Sequence, residues 1–118
     1  GIGPDELDFL EVHDATAIGE IIEMEALGVC EQGDGGAFAE KGFTALTGTI
    51  PVNPSGGLES KGHPIGATGL GQIYELVTQL RGEAKSRQVE SPRVALAQNG
   101  GGVYGIEEAV SAVTILSV

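Results

Sequence analysis

Cysteine and aromatic residues are scarce in this sequence of 118 residues, which has one cysteine, no tryptophan, three phenylalanines and two tyrosines. A single thiol cannot form an internal disulfide, and one cysteine with two histidines gives little support to a zinc site made from such ligands. This composition suits a reducing compartment. We therefore expect a cytoplasmic protein without a bound metal.

Positive charge is also scarce, since six Lys and Arg residues stand against 17 Asp and Glu residues, for a net charge of −11. Such a balance disfavours binding to nucleic acid and to anionic membrane surfaces. No run approaches the roughly 18 to 20 apolar residues of a membrane span, and no signal-peptide pattern opens the chain. We expect neither a nucleic-acid partner nor a membrane span.

Short β-type runs and amphipathic runs alternate along the chain, which has the length of one domain covering residues 1–118. The strand-like runs are 7–13, 47–52, 94–97 and 108–116, and the helix-like runs are 18–26 and 70–80. The resulting order, β-α-β-α-β-β, predicts an α/β layered fold with a mixed sheet and helices.

Local signals set the expected ends and faces of these elements. Asp14 and Thr16 are candidate N-caps of the first helix, and Gly28 and Gly82 are candidate helix ends. The apolar stripes that start at Ile18 and Leu70 are predicted to face the core: Ile18, Ile21 and Ile22, then Leu70, Ile73, Tyr74, Val77 and Leu80. The acidic, glycine-rich stretch 29–42 is predicted to be a surface loop, and 99–102 a tight turn.

The stretch 53–69, Asn-Pro-Ser-Gly-Gly-Leu-Glu-Ser-Lys-Gly-His-Pro-Ile-Gly-Ala-Thr-Gly, is the strongest candidate for a functional site. It places His63 between glycines and Pro64, outside any apolar stripe, just before a helix whose N-terminus favours negative charge. Ligands bind in loops at strand ends of α/β sheets. We interpret His63 as a functional base or hydrogen-bond donor.

Two further polar residues leave alternatives open. His13 precedes Asp14, which either orients the imidazole or only caps the following helix. Asn53 either holds a water or carbonyl group or belongs to an ordinary Asn-Pro turn.

Other motifs carry less weight. Residues 100–105 match G-x-G-x-x-G, but only 13 residues follow, too few for a dinucleotide-binding unit of about 30 residues. Cys30 has acidic and no basic neighbours, so we interpret it as a free structural thiol.

Three segments resemble thiolase motifs. Gly62-His-Pro-Ile-Gly-Ala-Thr-Gly69 resembles the thiolase signature G-H-P-x-G-x-[ST]-G. Val12-His-Asp-Ala15 is similar to the His-Asp-Cys-Phe or His-Asp-Ala-Phe segment of the sterol-carrier and lipid-transfer-protein type of thiolase, where biosynthetic thiolases have Asn-Glu-Ala-Phe. Residues 95–102 resemble the segment around C-x-G-G-G-x-G.

The resemblance implies the C-terminal part of a thiolase-like acyl-CoA C-acyltransferase. His63 would activate a nucleophilic cysteine on the absent N-terminal domain and help to form an oxyanion hole, which His13 would complete, with Asn53 as a further catalytic residue. The implied substrate-binding glycines are Gly62, Gly66, Gly101 and Gly102. No cofactor is implied beyond coenzyme A as part of the acyl-CoA substrate.

The resemblance also implies missing parts and a partner. The first strand and helix of the C-terminal domain have no counterpart here, so a sheet edge and an apolar face would be exposed. We expect an N-terminal thiolase half or a second copy to cover them, and no activity from this chain alone. Lys61, Lys85 and Arg87 are candidate rim charges for coenzyme A.

Two positions depart from the family pattern. The second, acid/base cysteine of thiolases corresponds to Gln98, or to Ala15 in the sterol-carrier type, and neither side chain transfers protons. The alternatives are a retro-aldolase component, with Tyr104 as a replacement acid or base, and a non-catalytic subunit of thiolase fold.

Overall fold

The structure, a computed structural model, describes residues 1–105 and 108–118. It has three strands, four α-helices and two single-turn 3₁₀ helices, the latter at Pro4–Glu6 and Lys85–Arg87. In chain order, the strands and α-helices are β1 (Phe9–Glu11), α1 (Ala17–Ala26), α2 (Gly35–Glu40), α3 (Gly57–Lys61), α4 (Thr68–Leu80), β2 (Val94–Gly101) and β3 (Val110–Ser117).

The strands form one mixed sheet in the order β1-β2-β3. β1 runs parallel to β2, with Leu10 opposite Leu96, and β2 runs antiparallel to β3 from the pair Val94–Ser117 to the pair Gly101–Val110. Helices supply the long crossover that a parallel β1–β2 pair requires. The predicted α/β fold with a mixed sheet is confirmed.

Helices cover both faces of the sheet at β1 and β2, whereas β3 is mostly exposed. Successive strand residues point to opposite faces, so Leu10 packs with Met24 of α1 while Phe9 packs with Leu76 of α4. The first cluster comprises Leu7, Leu10, Val12, Met24, Val52 and Leu96, and the second Phe9, Leu76, Val89, Ala95 and Ala97. Residues 9–14 are buried throughout because both faces of β1 are covered.

The predicted second strand is an extended segment with a single bridge. Val52 pairs with Leu10, the Leu10 N–H donates to the Pro51 carbonyl over 2.9 Å, and the Asn53 N–H donates to the Leu10 carbonyl over 2.8 Å. Pro51 has no N–H to extend the ladder. This segment therefore places the start of the glycine-rich loop beside the edge of β1.

Two other predictions about irregular segments were wrong. The stretch 29–42 contains α2, whose Gly35 lies so close to α1 that a Cβ would be 2.8 Å from Ile21 Cγ2. The expected turn at 99–102 is largely strand, since pairing with β3 continues to Gly101. In both places glycine permits close packing rather than marking a loop.

The boundaries of α4 agree with the sequence prediction, but its buried face does not. Leu70 and Tyr74 are 73% and 70% exposed, whereas Gln72, Glu75 and Gln79 are buried beside Leu76. Each of these side chains has a partner for at least one polar atom: Gln72 Nε2 donates to the Gln98 carbonyl over 2.8 Å, and Arg87 pairs with Glu75 at 2.8 Å, while Gln72 Oε1 has no partner among the described residues. Polar side chains can be buried when they are hydrogen-bonded, and the spacing of apolar residues does not predict this burial.

The stripe of α1 is likewise only partly buried. Ile18 and Ile22 are 60% and 57% exposed, while Met24 is fully buried. Thr16 is the N-cap, as predicted, because its hydroxyl accepts a hydrogen bond from the Gly19 N–H over 3.1 Å. Asp14 does not cap this helix.

Candidate functional site

His13 lies immediately beyond β1 and is held by two neighbours on β2. Its main-chain N–H donates to Gln98 Oε1 over 3.0 Å, and the Gly100 N–H donates to its ring Nδ1 over 3.0 Å. A backbone N–H can only donate, so Nδ1 accepts and the neutral ring carries its proton on Nε2. Asn99 Oδ1 is 3.3 Å from the same Nδ1, a contact that becomes a hydrogen bond when the amide is rotated to present its nitrogen.

His63 lies in the exposed loop between α3 and α4, and its ring is fixed by the first residue of α4. His63 Nδ1 is 2.8 Å from Thr68 Oγ1, which in turn is 3.2 Å from the Pro64 carbonyl. One arrangement satisfies both contacts: Thr68 donates its proton to Pro64, and His63 Nδ1–H donates to Thr68. The neutral His63 ring then leaves Nε2 unprotonated, as a base requires.

The two imidazoles meet although 50 positions separate them in the sequence. Their ring centroids are 4.7 Å apart and the ring planes cross at 74°, an edge-to-face arrangement. Both rings line an open cleft of about 690 Å³ with the glycines at 100–102. Further side chains that line it are Ala15, Thr16, Ile65, Asn99, Val103 and Glu108.

Asp14 positions the His63 loop rather than the His13 ring. Its Oδ1 accepts the Leu58 N–H over 2.7 Å and its Oδ2 accepts the Glu59 N–H over 3.4 Å, so this buried carboxylate caps α3. The sequence prediction that Asp14 caps α1 or orients His13 was wrong. The His13 ring is oriented by the Gly100 N–H.

Glu11, on β1, holds the start of the same loop. Its carboxylate is 1% exposed and accepts hydrogen bonds from Ser55 N (3.0 Å) and Ser55 Oγ (2.7 Å). Lys61 Nζ lies 4.0 Å from Glu11 Oε2. Burial raises the pKa of Glu11 from 4.5 to about 7, even though the Ser55 hydrogen bonds and the Lys61 charge act in the opposite direction.

We expect the conformational stability to fall as pH rises from about 4.5 to 7, because the folded state binds the Glu11 proton more tightly than the unfolded state does. The change attributable to this side chain is on the order of 3 kcal/mol. Glu11→Gln keeps a neutral hydrogen-bonding group and should remove this component. Urea unfolding of wild type and variant across this pH range measures it, with exposed Glu40→Gln as the control, and an unchanged pH profile in Glu11→Gln would refute the assignment.

Asn53 lies away from the cleft. Its Oδ1 accepts the Val12 N–H over 2.8 Å, and its Nδ2 donates to Glu20 Oε2 over 2.7 Å. Both ends of the amide are thus used to join the loop to β1 and α1. Among the predicted substrate-binding glycines, Gly101 and Gly102 line the cleft, Gly66 lines a neighbouring groove, and Gly62 lines neither.

Gln98 and Ala15, the two positions that the thiolase resemblance assigns to a second cysteine, differ in structural role. Ala15 lines the cleft, whereas Gln98 is 1% exposed and ties His13 to β3, since its Nε2 donates to Ser111 Oγ over 2.9 Å. Tyr104 is 81% exposed and is absent from the cleft lining. Glu108 does line the cleft, and sequence reasoning missed it because no motif includes it.

Cys30 belongs to a separate groove near α2. Burial raises the pKa of its thiol, and the carboxylates of Glu25, Asp34 and Glu31 raise it further. A thiol in such surroundings is a poor nucleophile. None of the candidate rim charges lines the cleft, and Arg87 is engaged by Glu75.

Over the parts of the chain that the structure describes, 1–105 and 108–118, no helix has the length and apolar character needed to cross a membrane. In the same residues, no three His, Cys, Asp or Glu side chains come together in a way that would hold a metal ion.

A three-stranded mixed sheet with helices against β1 and β2 and a histidine loop at its edge defines an α/β domain of thiolase-like fold. A solved structure described as an Ltp2-ChsH2(DUF35) aldolase superposes with a TM-score of 0.76 over 99% of this chain and 28% of its own, at 21% sequence identity. Residues 1–117 match the thiolase C-terminal domain-like family, and the chain belongs to that family.

Curated relatives agree with the family. Acetyl-CoA acetyltransferase of Methanothermobacter thermautotrophicus is 51% identical over 102 residues, which are 86% of this chain and 27% of that protein. Sterol carrier protein 2 of Rattus norvegicus is 52% identical over 101 residues, which are 86% of this chain and 18% of that protein. The chain thus spans about a quarter or less of the length of these relatives.

Proposed function

We propose that this chain supplies the histidine half of a thiolase-type active site that acts on CoA thioesters. The nucleophilic cysteine comes from an N-terminal thiolase domain, and Cys30 is not a substitute for it. One observation carries the proposal: His13 and His63 meet with centroids 4.7 Å apart over a glycine-lined cleft, and their hydrogen bonds leave one Nε2 protonated and the other free.

These opposite tautomers suit acyl transfer. His63 Nε2 takes the proton from the cysteine thiol, and the thiolate attacks the thioester carbonyl. His13 Nε2–H, joined by the newly protonated His63, then donates to the oxygen that becomes negative in the tetrahedral intermediate. When this intermediate collapses, His63 returns the proton to the departing CoA thiolate.

The remaining residues act around this pair. Gly101 and Gly102 line the cleft and allow the thioester to approach the backbone, while Gly62 and Gly66 shape the His63 loop. Asn53 acts as a positioning residue through its bonds to Val12 and Glu20. We propose no cofactor beyond the coenzyme A of the substrate, and a cytoplasmic enzyme, as the composition suggests.

Retro-aldol cleavage of a CoA thioester is the second candidate function. The observation that favours it is that neither Gln98 nor Ala15 carries a titratable group, whereas Claisen chemistry in thiolases uses a second cysteine at these positions. His63 Nε2 would take the proton of the 3-hydroxyl group as the carbon–carbon bond breaks, and His13 Nε2–H would stabilise the enolate released by cleavage. This reaction needs no acyl-enzyme, so the two candidates differ in whether a cysteine becomes acylated.

Exposed apolar side chains support association with a partner chain. On β3, Val113 and Ile115 are 52% and 42% exposed, and on α4, Leu70 and Tyr74 are more exposed still. A strand edge and apolar patches of this kind favour association with another chain. We propose that the N-terminal thiolase half, or a second copy of this chain, covers them.

Reconstitution tests the proposed function. The chain is mixed with an N-terminal thiolase half from the same source, and acyl-CoA is added. The proposal predicts CoA release with an acyl group on the partner's cysteine, and retro-aldol activity predicts cleavage of a 3-hydroxyacyl-CoA without that adduct. Assembly of the two polypeptides without turnover of any thioester would favour a non-catalytic subunit.

A further inference from the structure

Glu108 is the one titratable side chain besides His13 and His63 among the described residues that line the cleft. It lies in the connection between β2 and β3, beside the pairing that brings Gly100 opposite Ser111. None of the acyl-transfer steps uses its carboxylate. Its position calls for an explanation because a carboxylate next to a thioester site can take up or return a proton.

Two structural features hold the Glu108 carboxylate in place. Gln98 Nε2 lies 3.3 Å from Glu108 Oε2 and is itself fixed by Ser111 Oγ at 2.9 Å. The carboxylate also lies directly against Gly100, where a Cβ atom would be only 1.6 to 1.9 Å from its atoms. Because Gly100 has no side chain, the Glu108 carboxylate can lie against it. The Gly100 N–H also orients His13.

The titratable groups around this position are Glu23 of α1 and His13. Burial raises the pKa of Glu23, and the nearby Glu108 charge raises it further, while His13 and Gln98 lower it. A second carboxylate and an imidazole therefore share the environment of Glu108.

A proton acceptor is needed here because the family's second cysteine has no counterpart at Gln98 or Ala15. We infer that Glu108 is the acid/base residue that moves the proton at the α-carbon of the bound thioester, an inference that rests on the proposed function. The Glu108 carboxylate takes the α-proton, and the C–H electron pair passes into an enolate whose oxygen accepts a hydrogen bond from His13. In the cleavage direction, the Glu108 carboxylic acid returns this proton to the enolate carbon.

Exchange of the α-protons of acyl-CoA with deuterium from D₂O tests this role in the reconstituted complex. Glu108→Gln should slow the exchange by about 10²- to 10⁴-fold, the range expected for loss of a general base. Glu108→Asp should retain part of the rate, because the carboxylate is kept but drawn back. Cysteine acylation, which breaks no bond at the α-carbon, should fall far less than exchange.

The control is Glu83→Gln, an exposed carboxylate outside the cleft, which should leave both rates at the wild-type value. Unfolding midpoints of the variants identify any loss that comes from misfolding. Exchange at the wild-type rate in folded Glu108→Gln would overturn the role of Glu108 and leave the proposed function standing. A wild-type complex that shows neither CoA release nor exchange would overturn both.

Discussion

His63→Ala is expected to lower the rate of cysteine acylation by about 10³-fold, because it removes the base that generates the thiolate. His63 is exposed and packs in no core cluster, so the variant should fold like wild type. The measurement is the burst of CoA release from acyl-CoA in the complex with the cysteine-bearing half. Acylation of His63→Ala at the wild-type rate would show that another group activates the thiol.

Thr68→Val is the matched variant for this experiment. It keeps the shape of the side chain but removes the oxygen that lies 2.8 Å from His63 Nδ1. Losing one such hydrogen bond is worth about 1 kcal/mol, so the acylation rate should fall about fivefold, with His63 still present. A loss as large as that of His63→Ala would instead indicate that Thr68 acts directly on the substrate.

Gly57→Ala is expected to destabilise the fold by about 3 kcal/mol or more, through steric overlap added to backbone strain. Gly57 has a φ of 62°, and a Cβ there would be 2.0 Å from Asp14 Oδ2. Asp14 cannot move away without giving up its cap on α3, where it accepts the Leu58 N–H. Chemical denaturation measures the loss of stability.

Gly82→Ala is the control for backbone strain alone. Gly82 has a φ of 71°, close to that of Gly57, but an added Cβ would meet nothing within 4 Å. Gly82→Ala should therefore lower the free energy of unfolding by only about 1 kcal/mol. Equal losses in the two variants would show that the Asp14 contact does not restrict residue 57.

Elements with strong local signals were predictable from the sequence. Helix α4 starts at Thr68 and ends before Gly82 as the glycines and spacing predicted, and Thr16 caps α1. The α/β class followed from the order of elements, and the thiolase motifs indicated the family. The sequence also indicated both His13 and His63 as candidate site residues.

What escaped prediction depends on contacts between distant residues. The buried polar face of α4 exists because Gln72 and Glu75 find partners far along the chain, at Gln98 and Arg87. The cap that Asp14 provides for α3 spans 44 positions. Neither the polar face of α4 nor the Asp14 cap corresponds to a periodic pattern in the sequence.

The approach of Glu108 to the cleft has the same origin. It depends on the register that carries β2 to Gly101 before β3 begins, whereas the sequence suggested an earlier turn. With Gly100 opposite Ser111, the Glu108 carboxylate lies against Gly100. The site thus contains motif residues and Glu108, which could be placed there only from the pairing of β2 with β3.

The measurement that tests the paired-imidazole account most directly is ¹⁵N NMR of the two histidine rings in their neutral forms. The chain has only two histidines, so one substitution assigns all four ring nitrogens. The two rings are expected to be opposite tautomers, with the proton of His13 on Nε2 and that of His63 on Nδ1. If both rings carry the proton on the same nitrogen, one of them lacks the inferred hydrogen bond, and the division into donor and base is contradicted.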